Sequence, residues 1–167
     1  MCGIVGYIGE GDIKHFLLEG LKELEYRGYD SAGIAILQDE NLSIAKAVGK
    51  LDNLIRKSKD ITTEGFGVGI GHTRWATHGK PTELNAHPHQ GEFSYVVHNG
   101  IIENFKEIKA ELDAQFVSQT DTEVIVHLFE KYFGQTQDAK EAFERTIKRL
   151  EGAYAICLLY TSPSPRD

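Results

Sequence analysis

The sequence predicts an α+β fold, and three observations carry that prediction. Some stretches alternate large apolar residues with small ones, as Phe66, Val68 and Ile70 do among glycines, which is the period of a strand. Others repeat apolar residues three and four apart, as Ile13, Phe16, Leu17, Leu21 and Leu24 do, which is the period of a helix with one buried stripe. Two pairs, Asn104 with Glu107 and Thr120 with Glu123, have capping-box spacing ahead of further apolar stripes. At 167 residues the chain fits one domain with a core of its own.

Taken in order, Ile4 to Ile8 is β-branched and aromatic with interspersed glycines, which predicts a buried strand approached closely by backbone or ligand. The helix from Asp12 ends near Tyr26 to Asp30. Ala32 to Leu37 and Leu42 to Val48 read as a hairpin around a polar turn at Gln38 to Asn41, and Leu51, Leu54 and Ile55 as a short helix. Gly65 to Gly71 suggests a phosphate loop, but such loops open a helix, and His72-Thr73-Arg74-Trp75 follows instead. A strand with one bare face, suited to close packing or close ligand approach, fits better. His72 to Gly91 lacks periodicity and reads as a long loop of the functional kind. Phe93 to His98 is a strand ending in the turn signal Asn99-Gly100. Two capped helices follow, then a helix over Ala139, Phe143, Ile147 and Leu150 that Gly152 is placed to end, then a strand over Tyr154 to Leu159. The residues after Tyr160 are Ser/Pro-rich and suit neither helix nor strand. Residues 1–156 are therefore expected to form a partial domain and 157–167 a non-native, disordered tail, the chain being truncated. An unfinished sheet predicts poor folding or inactivity for the chain alone.

Composition excludes several classes. A net charge of -7 without any basic stripe argues against nucleic acid. No apolar run is long enough to span a bilayer, and no signal peptide follows Met1, so no membrane and a cytoplasmic location are expected. Two cysteines, Cys2 and Cys157, make no disulfide framework. Five histidines, His72, His78, His87, His89 and His98, raise the idea of a metal. They lack zinc-site spacing, and His87-Pro88-His89 in extended form would put two imidazoles on opposite sides, so organising the loop by hydrogen bonds is the better reading.

The chemistry begins at Met1-Cys2-Gly3. If Met1 is removed, Cys2 carries a thiol of pKa ~8.5 beside its own amine of pKa ~7.7 to 8.0, a nucleophile with its own base. Its plain alternative is an ordinary small residue. Arg74 offers a planar donor fork suited to a carboxylate, or a surface ion pair, and Trp75 beside it can cover a site and exclude water. Asn99 and Gly100 make either a turn or an oxyanion hole, with the amide NH2 and the backbone N–H aimed at one point. Asp121 is a helix-capping acid or a receptor for an ammonium. Together these parts ask for a substrate with a carboxylate, an ammonium and a reactive carbonyl, and glutamine has all three.

Six segments are then familiar: Cys2 to Gly6, Leu24 to Gly33, His72 to Gly79, Asn85 to His89, Val97 to Asn104 and Thr120 to Glu123. From Cys2 to about Ile156 they closely resemble the glutaminase domain of the glutamine:fructose-6-phosphate aminotransferase (isomerising) family, also called glucosamine-6-phosphate synthases, within the class II glutamine amidotransferases. The short Cys-Gly-Ile start is common to the whole class. The segments Tyr26 to Gly33 and His72 to Gly79 are more specific, and amidophosphoribosyltransferase relatives tend to carry Tyr where Trp75 stands.

The resemblance implies a four-layer αββα sandwich of the amino-terminal-nucleophile hydrolase type, incomplete at the C-terminus. It implies Cys2 as nucleophile, Asn99 and Gly100 as oxyanion donors, and Arg27 as the arginine that orders the nucleophile end. Arg74 would bind the glutamine α-carboxylate and Asp121 its α-amino group, with Trp75, Thr77 and His78 on the loop closing over glutamine. It implies no metal or organic cofactor. The parent would be a homo-oligomer that passes ammonia to fructose 6-phosphate in hexosamine synthesis, through domains absent from this sequence. A non-catalytic glutamine sensor and another class II amidotransferase are the alternatives. The link between Leu112 and Val117 is shorter than is usual for the family, which bears on the geometry there.

Overall fold

In a computed structural model, residues 2–161 are described. The strands are β1 (Gly3–Glu10), β2 (Ser31–Gln38), β3 (Asn41–Val48), β4 (Phe66–Arg74), β5 (His89–Gln90), β6 (Ser94–Gly100) and β7 (Tyr154–Tyr160). The helices are α1 (Ile13–Glu23), α2 (Leu51–Lys57), α3 (Phe105–Glu111), α4 (Glu123–Thr136) and α5 (Ala139–Arg149), with a 3-10 turn at Glu25–Arg27. One antiparallel sheet has the order β1-β4-β2-β3 and the other β5-β6-β7.

Three apolar clusters separate the layers. Ile13, Leu17 and Leu21 of α1 and Leu51 and Leu54 of α2 pack on Ala32, Ile34 and Ile36 of the first sheet. Ala35 and Ile70 meet Tyr95, Val97 and Leu159 between the two sheets. Ile108 of α3 and Val124, Ile125 and Leu128 of α4 cover the second sheet around Val96. Helix, sheet, sheet, helix is the four-layer arrangement that the resemblance implied.

The bare face of β4 serves packing. A Cβ at Gly69 would lie 2.8 Å from Ile13 Cγ2 and from Leu17 Cδ1, and one at Gly67 would lie 2.7 Å from Ile13 Cδ1. Helix α1 thus sits closer to the strand than side chains on that face would allow. The hairpin turn at Asp39 and Glu40 has φ of 47° and 65°, the left-handed pair that matches strand twist in a two-residue loop.

Several local expectations are corrected. Strand β4 runs on through His72, Thr73 and Arg74, because it pairs with β1 and β2 along its whole length, so the irregular loop starts only at Trp75. Asn99 and Gly100 are the paired end of β6, opposite Ala155 and Tyr154, and form no turn. Neither capping box closes. The Asn104 amide instead donates to the Arg149 carbonyl and accepts from the Glu151 N–H, tying α3 to the end of α5. Glu123 reaches back to the N–H groups of Val117 and Ser118, while Thr122 occupies the cap position without a side-chain cap bond. Helix α5 ends at Arg149 with Leu150 as its cap, so Gly152, at φ 123°, belongs to the turn into β7. Strand β7 pairs with β6 through Tyr160, and the Thr161 N–H donates to the Phe93 carbonyl, so the expected start of a tail at 157 falls inside an ordered strand. The Ser/Pro-rich residues 162–167 lie outside the described residues. Among the described residues no helix is long and apolar enough to cross a membrane.

Candidate active site

The site lies where the ends of β1, β4 and β6 meet. The register puts Gly3 of β1 opposite Thr73 of β4, which brings Cys2, one residue earlier, against the Arg74–Trp75 end of that strand. The Trp75 N–H donates to Cys2 Sγ at 3.1 Å, and the thiol faces the Trp75 carbonyl at 3.6 Å. A cavity of about 400 Å³ opens beside the sulfur. Cys2, Arg74, Trp75, Thr77, Asn99, Gly100 and Asp121 all line it, as do His87, His98, Ile101, Thr120 and Thr122. A larger hollow of about 950 Å³ lies elsewhere, between the 111–117 link and α4, and holds none of these groups.

Arg74 is 4% exposed. Its guanidinium donates to the carbonyls of His78, Gly79 (3.3 Å) and Lys80 (3.5 Å), so the loop wraps the arginine and fixes its direction. Burial lowers its pKa, while the acids Asp30 and Asp121 and the Cys2 sulfur oppose that shift. Asp30 was not singled out by sequence. Its N–H donates to the Arg74 carbonyl at 2.7 Å, and its carboxylate accepts from the Ala76 N–H, which fastens both ends of the turn carrying Trp75. Asp121, also 4% exposed, does not cap α4; one oxygen accepts from the Ile102 N–H at 2.8 Å and the other lies 3.9 Å from His78 Nδ1.

Gly100 holds φ at 127°, and a Cβ there would lie 2.2 Å from the Ala153 carbonyl oxygen, so only glycine fits. The Asn99 side chain is held from below, its Oδ1 lying 2.8 Å from His72 Nε2. Trp75 lines the cavity but is 55% exposed, so the pocket is open on that side. His78 stacks edge-on against Phe105 and stays off the cavity wall. Arg27 stands outside it too, exposed in the 3-10 turn beside the Tyr26 ring.

Beneath the cavity, four histidines form a buried stack. The His72 and His87 rings are parallel at 4.0 Å, and His87 meets His89 edge-on at 4.8 Å, so the expectation that 87 and 89 point apart is overturned; the His87–Pro88 peptide is cis. The hydrogen bonds fix tautomers. The His98 N–H donates to His87 Nδ1, so neutral His87 carries its proton on Nε2 and faces Thr122 Oγ1 at 3.3 Å. Thr122 also lies 2.9 Å from His98 Nδ1, and Thr120 lies 3.0 Å from His89 Nε2. Burial pushes His72 and His89 down to about 3, and lowers His87 and His98 as well, so the stack is neutral. Rings stacked face to face do not converge their nitrogens on one point. Among the described residues no group of three or more His, Cys, Asp or Glu is placed to hold a metal ion.

Comparison with known proteins follows this geometry. A sequence model described as a glutamine amidotransferase domain matches residues 73–164, more than half of the chain. The chain belongs to the glutamine amidotransferase domain family. Among curated proteins, this amidotransferase chain is 60% identical over 168 residues to the glutamine–fructose-6-phosphate aminotransferase (isomerizing) of Campylobacter jejuni, covering 99% of the chain and 28% of that protein. It is 56% identical to the protein of the same name from Helicobacter pylori, covering 96% of the chain and 27% of the relative. The amidotransferase chain thus spans little more than a quarter of the length of these relatives. Among solved structures, a glutamine phosphoribosylpyrophosphate amidotransferase from B. subtilis, complexed with ADP and GMP, superposes with TM-score 0.81 at 26% identity, over 96% of this chain and 35% of that one. A second, titled as the allosteric regulatory enzyme of purine biosynthesis, gives 0.82 at 27% identity over 95% of the chain. These neighbours agree with the layered fold that the sequence implied.

Proposed function

We propose that this amidotransferase domain hydrolyses glutamine to glutamate and ammonia through a thioester on Cys2. In the longer protein the ammonia would pass to fructose 6-phosphate to make glucosamine 6-phosphate. The observation that carries the reading is the convergence of Cys2, Arg74, Asn99, Gly100 and Asp121, drawn from four separate parts of the chain, on one cavity of about 400 Å³. Arg74 would take the α-carboxylate and Asp121 the α-ammonium, leaving the side-chain amide of glutamine toward Cys2.

With Met1 removed, the Cys2 amine accepts the thiol proton and sulfur attacks the amide carbon. The carbonyl π pair moves onto oxygen, where the Asn99 amide and the Gly100 N–H stabilise it. As the oxygen pair returns, the C–N bond breaks and nitrogen leaves as ammonia with the proton held by the ammonium. Water then adds to the thioester carbon, the C–S bond breaks, and glutamate and free Cys2 result. Thr77 on the cavity wall and Trp75 at its open side would close over the substrate. His78 would support Asp121, and Arg27 would order the nucleophile end from outside the cavity.

The 60% identity to the Campylobacter aminotransferase, against 26% to the phosphoribosylpyrophosphate amidotransferase of like fold, favours the fructose 6-phosphate acceptor. The acceptor step would belong to the remainder of the longer protein, since this chain spans little more than a quarter of the length of its relatives. Cys2→Ala should abolish glutamine hydrolysis while leaving the thermal transition in place. Retention of Met1 should do the same, since the base would be lost, and an electrophilic glutamine analogue should add to Cys2, read by mass spectrometry. Full turnover with Met1 in place would sink the self-activating mechanism, and failure to label would favour a glutamine sensor.

A further inference from the structure

We propose that His72 is a positioning residue that sets the direction of the Asn99 amide, locking its NH2 toward the reacting carbonyl; the inference rests on the oxyanion role assigned to Asn99 above. The orientation of an amide is ambiguous by shape alone, since its oxygen and nitrogen are nearly interchangeable. Here a third group resolves it. His72 Nε2 lies 3.1 Å from the backbone carbonyl of His98 and 2.8 Å from Asn99 Oδ1. A carbonyl can only accept, so Nε2 must carry the imidazole proton. The atom of Asn99 that faces that proton is then its oxygen, and the nitrogen is turned away, toward the cavity that Asn99 lines.

The reversed arrangement fails at the His98 carbonyl. With Nδ2 donating to a bare Nε2, the lone pair of that nitrogen would face the His98 carbonyl. The proton would sit on Nδ1, which is buried and has no partner among the described residues. Nδ1 lacks such a partner in either tautomer, so the His98 carbonyl, which only an Nε2–H can satisfy, decides between them. Complete burial also keeps the ring neutral, so a single N–H is shared by two acceptors. Strand geometry makes the lock rigid, because His72 sits on β4 in one sheet and Asn99 on β6 in the other, and the hydrogen bond crosses the interior between them.

The role is tested by kinetics on variants of the protein with Met1 removed. Asn99→Ala should lower kcat by about 10²- to 10³-fold, as loss of such a donor does. His72→Leu, which keeps bulk and removes the donor, should lower kcat by about 10- to 100-fold with KM within about two-fold, since a misdirected amide retains only part of that effect. His72→Gln, whose amide nitrogen reaches the place of Nε2, should recover most of the rate. Because His72 acts through Asn99, the double variant should be no slower than Asn99→Ala alone. Multiplying losses, or a His72→Leu defect confined to KM, would overturn the role of His72 while leaving the oxyanion hole standing. Full turnover in Asn99→Ala would overturn the oxyanion reading itself. Long-range 1H–15N spectra of the unaltered protein give a readout independent of turnover: the proton of His72 should be on Nε2, and finding it on Nδ1 would sink the inference.

Discussion

The two halves of strand β4 are held by opposite means. Over Gly67, Gly69 and Gly71 the strand offers no side chains, and α1 lies against it by shape alone, with Ile13, Leu17 and Leu21 fully buried in the gap. Over His72, Thr73 and Arg74 the same strand is buried just as deeply but carries polar groups, and His72 and Arg74 are directed by hydrogen bonds to β6 and the 78–80 loop. The first half tolerates any apolar set of the right volume. The second is directed where donors and acceptors match, at His72 Nε2 and the Arg74 guanidinium, although His72 Nδ1 and Thr73 Oγ1 lack partners among the described residues. Packing fixes where the strand lies, and hydrogen bonding fixes what its end can do.

Acid should separate the halves most sharply. His72 and His89 bind a proton at about 3 in the folded chain, against about 6.5 unfolded, so the unfolded state takes up protons first. Their contribution is whole above pH 6.5 and is lost as pH falls toward 3. At up to about 1.4 kcal/mol per pH unit for each histidine, the loss between pH 6 and 4 approaches about 5 kcal/mol. Glu123 adds to it lower down: burial opposes its charged form, but the His127 ring 3.5 Å away and hydrogen bonds from Ser118 and Val117 outweigh that and hold it at about 2, so its share goes between pH 4.5 and 2. Urea midpoints across this range check the slope; a flat profile would show that the stack does not hold neutral imidazoles.

Leu17→Ala should cost about 2 to 5 kcal/mol by opening a cavity under α1, read as a fall in Tm, with kcat of the folded fraction unchanged. A matching fall in kcat would mean the halves are not separable. Gly33→Ala should bridge them, because its Cβ would lie 2.1 Å from the His87 carbonyl oxygen. Overpacking of about 1 to 3 kcal/mol is expected in unfolding, together with reduced turnover as the histidine stack shifts. Smallest is Glu141→Gln, which removes an exposed pair with Arg145 at 2.6 Å. Its effect on Tm should correspond to about 0.5 kcal/mol or less, with no change in turnover.

The sequence makes the apolar half far more legible than the polar one. The i, i+4, i+8 pattern of Ile13, Leu17 and Leu21 and the glycine alternation of β4 each record a face directly, and the structure packs those two faces together. Cys2, Arg74, Asn99, Gly100 and Asp121 were recognisable by residue type and resemblance, and they share one cavity. What sequence could not show was their support. Asp30 sits inside a recognised segment, yet its bond to Ala76 spans 46 positions, and Thr122, at the start of α4, meets His87 and His98 only in the folded chain. The pair His87 and His89 was misjudged because residues two apart in an extended chain share a side rather than oppose one another, and the two rings do meet. The capping boxes failed for another reason: Asn104 bonds Arg149 and Glu151 from a distant segment, and Glu123 takes the N–H groups of nearby Val117 and Ser118.

The eight paired positions of β1 against β4 act as a gauge for the residue that precedes them. Chain starts ordinarily fray, and a reactive group hung on one would wander. Here a shift of one pairing step would carry the sulfur about 3.4 Å along the sheet and turn it to the opposite face. Insertion or deletion of one residue between Gly3 and Glu10 would therefore leave the composition of the pocket almost intact while putting its reagent out of reach, a calibration error written into a strand far longer than the site it serves.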